Sequence, residues 1–326
     1  TMLVLPNDEW VGNEIYFDIG MEWAEERWWL LHKPYGFYLD TAKQYLQIKP
    51  EHKAVENHYE AQDTHELYTQ KYITLDQFKQ MDIDIIIASI PDHWESFTKL
   101  RDKYKPKAKV ICQMGNMFHE VQDMLRNGTI KNLMASTSAF PVSCNAVFYH
   151  QEFPLDIFKP SNIPPEKRIT SFINVYHENK GFEDYLQLKA TMPDWEFKSF
   201  GGQNQDGTIA GIDNIASEMQ RSAWVFHSKH MGDGFGHILF NAMACGRPVI
   251  TRFSDYQGKL GGELLEDKVT ALNLDKHAYD DIYSFINTLL PEKYDWICQQ
   301  AYERFTSKVN YENEIIKIKH FLENLR

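Results

Sequence analysis

The chain is poor in the features that mark membrane-spanning, disulfide-bonded and zinc-binding proteins. Its 326 residues contain no apolar run near the roughly 20 residues that a membrane-spanning helix needs, so no integral membrane segment is expected. Only four cysteines occur, and their wide spacing matches no metal-binding motif, so reduced thiols are expected at Cys112, Cys144, Cys245 and Cys298. The first residues lack the basic-then-apolar order of a secretory signal, which favours a cytoplasmic protein.

The chain also lacks an excess of positive charge. It has 46 Asp and Glu against 34 Lys and Arg, a formal net charge of −12. Because neutralising nucleic-acid phosphates needs Lys and Arg, this balance argues against a general polyanion-binding protein. Apolar residues make up 43% and charged residues 25%, which is an ordinary globular composition. The length suffices for two domains of roughly 150 residues each.

Short apolar stretches alternate with helix-length polar segments along the whole chain. In the first half, strands are expected at 2–5, 83–90, 109–112 and 132–135, and helices at 74–81, 92–104 and 118–127. In the second half, strands are expected at 169–175, 195–200, 223–226, 248–251 and 270–273, and helices at 181–191 and 212–221. This alternation is typical of parallel α/β sheets.

A proline-rich stretch at 153–165 separates the two halves. We therefore predict an α/β protein with two Rossmann-like lobes and a cleft between them. The N-terminal lobe is expected at 1–152, and the C-terminal lobe follows the linker at 166–293. Residues 294–326 contain no Gly or Pro, and we expect them to form C-terminal helices that pack back toward the N-terminal lobe.

The most informative segment, residues 231–250, places a glycine-rich loop in front of a helix. Three glycines precede the expected helix, and Gly246 and Pro248 end it. Such a loop exposes backbone N–H groups at the positive end of a helix dipole, where a diphosphate can bind. His237 and Asn241 are four residues apart, so they share one side of the helix.

Asp233 lies in the same loop, eight residues ahead of Asn241. The segment can therefore present a carboxylate, backbone donors and an amide to one polyhydroxylated anion. In the alternative interpretation, Asp233 only caps the helix, and His237 and Asn241 face water. A glycine-rich loop alone does not decide between the two.

Several motifs of the second half occur together in a recognisable order. They are a linker at 153–160, a strand with a Lys-Gly turn at 172–181, a strand with a glycine turn at 195–202, a helix-to-strand junction at 244–250 and an acidic turn at 266–270. Their order resembles the C-terminal lobe of the GT-B-fold, sugar-nucleotide-dependent glycosyltransferases of group 1. The resemblance covers about residues 147–275, and the first 146 residues match only in general α/β layout.

The second half departs from this family at three charged positions. The family carries a pair of glutamates where this chain has Asp233 and Asn241, so hydrogen bonding is kept and charge is reduced. The family's diphosphate-binding Arg is replaced by Val175, whereas Lys180 remains. Three other side chains could supply the missing donor: Lys229, Arg252 and His237.

The first half departs further. No Gly-Gly turn follows Leu5, and Gly115 or Asn116 stands near the place of the family's active-site histidine. The nearby candidates for that role are His93 and His119.

The resemblance implies transfer of a sugar from a nucleoside diphosphate sugar to an acceptor hydroxyl, with retention of anomeric configuration. It implies no cofactor and no metal, and the chain has no Asp-x-Asp motif. The C-terminal lobe would bind the sugar nucleotide and the N-terminal lobe the acceptor. The expected catalytic residues are Asp233, Lys180, His93 and His119. The expected donor-binding residues are Gly201, Gly202, Lys229, Gly234, Phe235, Gly236, His237, Asn241 and Arg252.

The acceptor is expected to be a saccharide or another hydroxyl-bearing molecule, contacted by Asp8, Glu9 and Trp10. A basic run at 99–109 keeps open a phage-type enzyme that glycosylates flipped hydroxymethylated DNA bases. Two further alternatives are a catalytically silent sugar-nucleotide-binding protein and another GT-B enzyme, either a 2-epimerase or a phosphorylase.

Overall fold

The computed structural model describes residues 2–5, 17–19, 71–73, 79–80, 82–88, 94–115, 119–137, 142–173, 181–201, 204–209, 211–229 and 234–326. The chain forms two compact units, one of Thr1–Glu152 with Tyr311–Arg326 and one of Phe153–Asn310. The described residues form eight α-helices: α1 (Trp94–Tyr104), α2 (His119–Arg126), α3 (Gly181–Thr191), α4 (Ile212–Arg221), α5 (His237–Ala244), α6 (Tyr279–Thr288), α7 (Pro291–Lys308) and α8 (Tyr311–Glu323).

The first unit contains a seven-stranded sheet in the order β3-β2-β1-β4-β5-β6-β7. Its strands are β1 (Met2–Leu5), β2 (Phe17–Ile19), β3 (Lys71–Ile73), β4 (Ile85–Ala88), β5 (Lys109–Met114), β6 (Asn132–Ala135) and β7 (Asn145–Phe148). Strands β1 and β4–β7 run parallel, as expected, but β2 and β3 are antiparallel additions at one edge. The predicted parallel sheet is therefore mixed, and the sequence patterns did not indicate β2, β3 or β7.

The C-terminal segment expected at 294–326 is divided between the two units. Helix α7 belongs to the second unit and α8 to the first, where α8 packs on β7. The buried Glu314 of α8 lies 3.1 Å from Nδ1 of His150, which follows β7. At the chain end, the backbone N–H of Arg326 donates to Oδ1 of Asn132 at 2.9 Å. Both contacts attach the last helix to the first sheet.

The second unit contains a five-stranded parallel sheet in the order β12-β11-β10-β8-β9. Its strands are β8 (Glu166–Ser171), β9 (Glu196–Ser199), β10 (Ser222–Phe226), β11 (Val249–Thr251) and β12 (Ala271–Asn273). All five residues of β10 are buried, as expected for a parallel strand whose faces are both covered by helices. The chain goes from β8 to β9 on one side and then returns to β10 on the other. The boundary between β8 and β10 is therefore the topological switch point of this sheet.

Helix α5 is the helix that follows the glycine-rich loop, and it is buried on nearly all sides. Asn241 is 2% exposed, so the alternative in which it faces water is wrong. The helix ends as predicted, with Gly246 in the left-handed conformation at φ 67°. The N–H of Arg247 donates to the carbonyl of Ala242, and the N–H of Gly246 donates to that of Met243, which satisfies the last carbonyls of the helix.

None of the helices in the described ranges combines the length and apolarity needed to cross a membrane.

Candidate functional site

A cavity of about 640 Å³ opens at the carboxyl edge of the second sheet. Three of its lining residues come one or two positions after the end of a parallel strand: Ser228 after β10, Arg252 after β11 and Asp275 after β12. Its other lining residues are Gly181, Glu183, Asp184, Ser254, Asp255, Gln257 and Lys259. Open α/β sheets bind ligands at this edge, close to the switch point, so the topology places the cavity where a ligand site is expected.

A close backbone contact forms the floor of the cavity at the switch point. Helix α3 begins at Gly181, as predicted, and packs directly on the chain that follows β10. A Cβ atom at position 181 would lie 1.7 Å from the carbonyl oxygen of Ser228. Only glycine permits this approach of the helix start to the strand end.

Asp184, which lines the cavity, is the centre of a hydrogen-bond network. It is 5% exposed and accepts bonds from Arg252 through Nε at 2.7 Å and Nη2 at 2.6 Å. It also accepts bonds from the hydroxyl of Tyr279 at 2.6 Å and that of Ser228 at 3.1 Å. A single carboxylate thereby joins α3, α6 and the ends of β10 and β11. Its two parallel bonds to Arg252 hold the guanidinium in one plane.

The charges of this network are stabilised by their contacts. Burial of the Asp184 carboxyl opposes its ionisation, but hydrogen bonds from Arg252 and Tyr279 outweigh burial and lower its pKa. The hydrogen bond to Asp184 raises the pKa of Arg252 further, so the guanidinium remains charged. Burial, together with the bond to Asp184, raises the pKa of Tyr279 to about 12, so this hydroxyl remains a donor at neutral pH.

A second carboxylate, Asp275, also lines the cavity. It accepts the backbone N–H of Ser254 at 2.8 Å and the Ser254 hydroxyl at 3.0 Å, which fixes the start of the 3₁₀ turn Phe253–Tyr256. It also lies 3.3 Å from Nη1 of Arg252. Arg252 is therefore held between two carboxylates, while 33% of its side chain remains accessible.

The end of the glycine-rich loop lies against the 3₁₀ turn Phe253–Tyr256. Gly236 has a left-handed φ of 85°, and a Cβ there would lie 3.1 Å from Cε1 of the buried Tyr256. Phe235 stacks on Phe240 at 4.1 Å between ring centroids and meets His237 edge-on at 5.0 Å. Close packing around Tyr256 thus joins the loop before α5 to the turn that lines the cavity.

The structure brings only some of the predicted donor residues together. Arg252 lines the cavity, and Gly234, Phe235 and Gly236 lead into α5. Lys229 follows Ser228, which lines the cavity. Gly201 follows β9 and donates its N–H to the carbonyl of Gly207 at 2.8 Å.

Seven predicted site residues lie outside the described residues: Asp8, Glu9, Trp10, His93, Lys180, Gly202 and Asp233. An eighth, His119, is the first residue of α2.

Sequence reasoning missed Asp184, Ser228 and Asp275, which line the cavity, and Tyr279, which donates to Asp184. A partial signal existed, because Asp184 lies four residues after Lys180 and Asp275 lies two residues after a predicted strand. The contact between Asp184 and Arg252 could not be predicted from local sequence patterns, since the two residues are 68 positions apart in the chain.

Two other predicted features take part in contacts within their own units. In the basic run, Lys99 pairs with Glu95 at 2.6 Å, and Arg101 pairs with Asp102 at 2.6 Å, so part of its charge is locally balanced. In the acidic turn, Asp267 lies 2.8 Å from Nε2 of His277 and thereby attaches the turn to the segment after β12. Within the described part of the chain, no group of three or more His, Cys, Asp or Glu residues is arranged to hold a metal ion.

No protein-family model matches the sequence, and no curated protein matches it significantly. Three solved structures illustrate what the fold resembles. HepE from Anabaena, in complex with UDP and glucose, is 14% identical over 77% of this chain and 80% of its own, with a TM-score of 0.59. Sucrose-phosphate synthase from Thermosynechococcus elongatus is 15% identical over 74% and 73% of the two chains, with a TM-score of 0.56. A glycosyltransferase from Rickettsia africae is 15% identical over 88% and 82%, with a TM-score of 0.54.

At these identities the likeness shows the fold. The chain has the GT-B fold of these structures, with two α/β units, and the predicted fold class is confirmed.

Proposed function

We propose that the chain is a glycosyltransferase that moves a sugar from a nucleoside diphosphate sugar to an acceptor hydroxyl. The observation that carries the proposal is the cavity at the switch point of the second sheet, in a chain with the GT-B fold. The HepE structure holds UDP and glucose, which makes UDP-sugars the first donors to test.

In the proposed donor site, the glycine-rich loop and the Lys-Gly turn stabilise the departing diphosphate. Cleavage of the anomeric C–O bond places negative charge on this leaving group, and preorganised N–H donors and a cation lower the energy of that state. We assign these roles to the backbone at 234–236 and to Lys180. We also assign Gly201, Gly202 and Lys229 to the phosphate side of the site.

We assign the sugar and ribose side of the proposed site to Asp233, Phe235, His237 and Asn241. Asn241 supports this assignment, because its buried Oδ1 accepts no hydrogen bond within the described residues. Leaving such an atom unsatisfied costs about 1–3 kcal/mol. A hydroxyl of the donor would supply the missing bond and recover part of that free energy.

For the acceptor side, we propose Asp8, Glu9 and Trp10 as binding residues, with His93 and His119 as candidates near the reacting hydroxyl. We further propose that transfer retains the anomeric configuration and needs no divalent cation. Nuclear magnetic resonance of the first-formed product gives its anomeric configuration. Assays with and without EDTA measure the metal requirement.

The deciding experiment is a thermal-shift screen of UDP-, GDP-, ADP- and CMP-sugars, followed by transfer assays with saccharides and with hydroxymethylated DNA. Stabilisation by one donor and formation of a glycosylated acceptor support the proposal. Binding without turnover across the panel instead indicates a silent sugar-nucleotide-binding protein. Phosphate-dependent sugar release indicates a phosphorylase, and a donor inverted at C2 indicates an epimerase.

A further inference from the structure

We propose that Arg252, positioned by Asp184, binds the uncharged nucleoside part of the donor and not its diphosphate. This inference rests on the proposed function and names the part of the ligand that the cavity receives. The ligand atom is a neutral oxygen acceptor, either a carbonyl of the base or a hydroxyl of the ribose.

The first argument is the charge of the cavity. Among the described residues, its lining contains four carboxylates, Glu183, Asp184, Asp255 and Asp275, and two cations, Arg252 and Lys259. A diphosphate that entered this space would approach an excess of negative charge at short range and in a partly buried setting, where screening is weak. A nucleoside has no charge and meets no such repulsion.

The second argument is the geometry of Arg252. Its Nε and Nη2 atoms donate to Asp184 at 2.7 and 2.6 Å, and Nη1 lies 3.3 Å from Asp275. The two carboxylates balance the guanidinium charge, but they do not use all five of its N–H donors. The accessible part of the side chain therefore presents fixed donors with little net positive charge, which suits a neutral acceptor.

Asp184 acts in this scheme as a positioning residue. It is 5% exposed, and its carboxylate accepts bonds from Arg252, Tyr279 and Ser228 on three different segments. These bonds fix the plane of the guanidinium, so loss of Asp184 would act on the ligand through Arg252. Phosphate binding then falls to the residues to which the proposed function assigns it.

The test compares nucleotides with their nucleosides by isothermal titration calorimetry. The probes are UDP with uridine, GDP with guanosine, ADP with adenosine, CMP with cytidine, and inorganic pyrophosphate alone. For the nucleotide and nucleoside pair that binds, Arg252→Gln should lower both affinities by the same factor, about 10-fold. Pyrophosphate binding should not change. Arg221→Gln is the matched control, because Arg221 also pairs with two carboxylates but lies away from the cavity.

Three results would overturn the inference while leaving the proposed function intact. They are a nucleotide-only loss in Arg252→Gln, a loss of pyrophosphate binding, or a nucleoside that fails to bind where its nucleotide binds. If no nucleotide binds the wild-type chain, the proposed function itself is wrong, and the inference falls with it.

The positioning role is tested by a double-mutant cycle. Asp184→Asn should weaken the nucleoside, but in the Arg252→Gln background it should add no further loss of affinity. If the two substitutions instead lower nucleoside affinity additively in the double mutant, Asp184 does not act through Arg252. If Asp184→Asn fails to fold, Asp184→Glu replaces it in the same cycle, because it keeps the charge but displaces the oxygens that hold Nε and Nη2 of Arg252.

Discussion

Replacing Gly181 by alanine tests the packing on which the candidate site depends. The added Cβ would lie 1.7 Å from the carbonyl oxygen and 2.5 Å from the carbonyl carbon of Ser228. Both are backbone atoms, so no side-chain rotation can relieve the overlap, and helix α3 must move away from the end of β10. Overpacking of this kind costs about 1–3 kcal/mol. The better helix propensity of alanine recovers at most about 1 kcal/mol of that cost.

We expect Gly181→Ala to lose about 2 kcal/mol of unfolding free energy, since backbone overlap lies at the upper end of the overpacking range. For a domain of about 150–250 residues, this loss lowers Tm by roughly 4–8 °C. Urea and thermal unfolding followed by circular dichroism measure the change, and calorimetry with the bound nucleotide measures the effect on the cavity. We expect weaker binding too, because Gly181 and Ser228 both line the cavity.

Gly115→Ala is the matched control, since no atom of the described residues lies within 4 Å of its added Cβ and it has no left-handed φ. It should unfold within about 0.5 kcal/mol of the wild type. A Gly181→Ala protein that is as stable as this control, with unchanged nucleotide affinity, would refute the proposed role of the close contact.

Three further predictions concern charge and chemistry. The pKa of Asp184 and that of Asp267 are lowered in the folded chain. The two ionised carboxylates therefore contribute their full free energy to folding above the ordinary Asp pKa near 4, and this contribution is lost as pH falls through their lower pKa values in the folded chain. Stability should therefore fall on acidification below about pH 4, and a flatter acid limb in Asp184→Asn checks the assignment. Tyr279→Phe removes a donor to a buried carboxylate and should cost about 1.5–3 kcal/mol by urea unfolding; a cost no greater than that of the exposed control Tyr302→Phe would contradict this role. Asp233→Ala and Lys180→Ala should each lower sugar transfer at least about 10-fold, or roughly 1.4 kcal/mol, and wild-type rates in both would contradict the catalytic assignment.

Local sequence patterns predicted the elements whose cause is local. Alternation of apolar and polar segments indicated the five strands of the second unit and its helices α3 and α4, because buried parallel strands are short apolar runs in any such fold. It did not indicate helix α6. Gly246 ended α5 where expected, since only a residue that accepts a left-handed φ can complete the helix end. The same patterns did not indicate β2 and β3, whose antiparallel pairing depends on the neighbouring strand.

The same distinction applies to the candidate site, where the sequence predicts some features and only the tertiary structure shows the others. The amino-acid sequence by itself determined the fold class and the glycine-rich loop before α5, because periodicity and backbone freedom are properties of short segments. Only the tertiary structure decided that Arg252 pairs with Asp184 and Asp275, residues from distant segments that meet because the carboxyl ends of parallel strands share one edge. The sequence shows the charge of each of these residues, but their spacing along the chain does not show which of them form contacts in the fold.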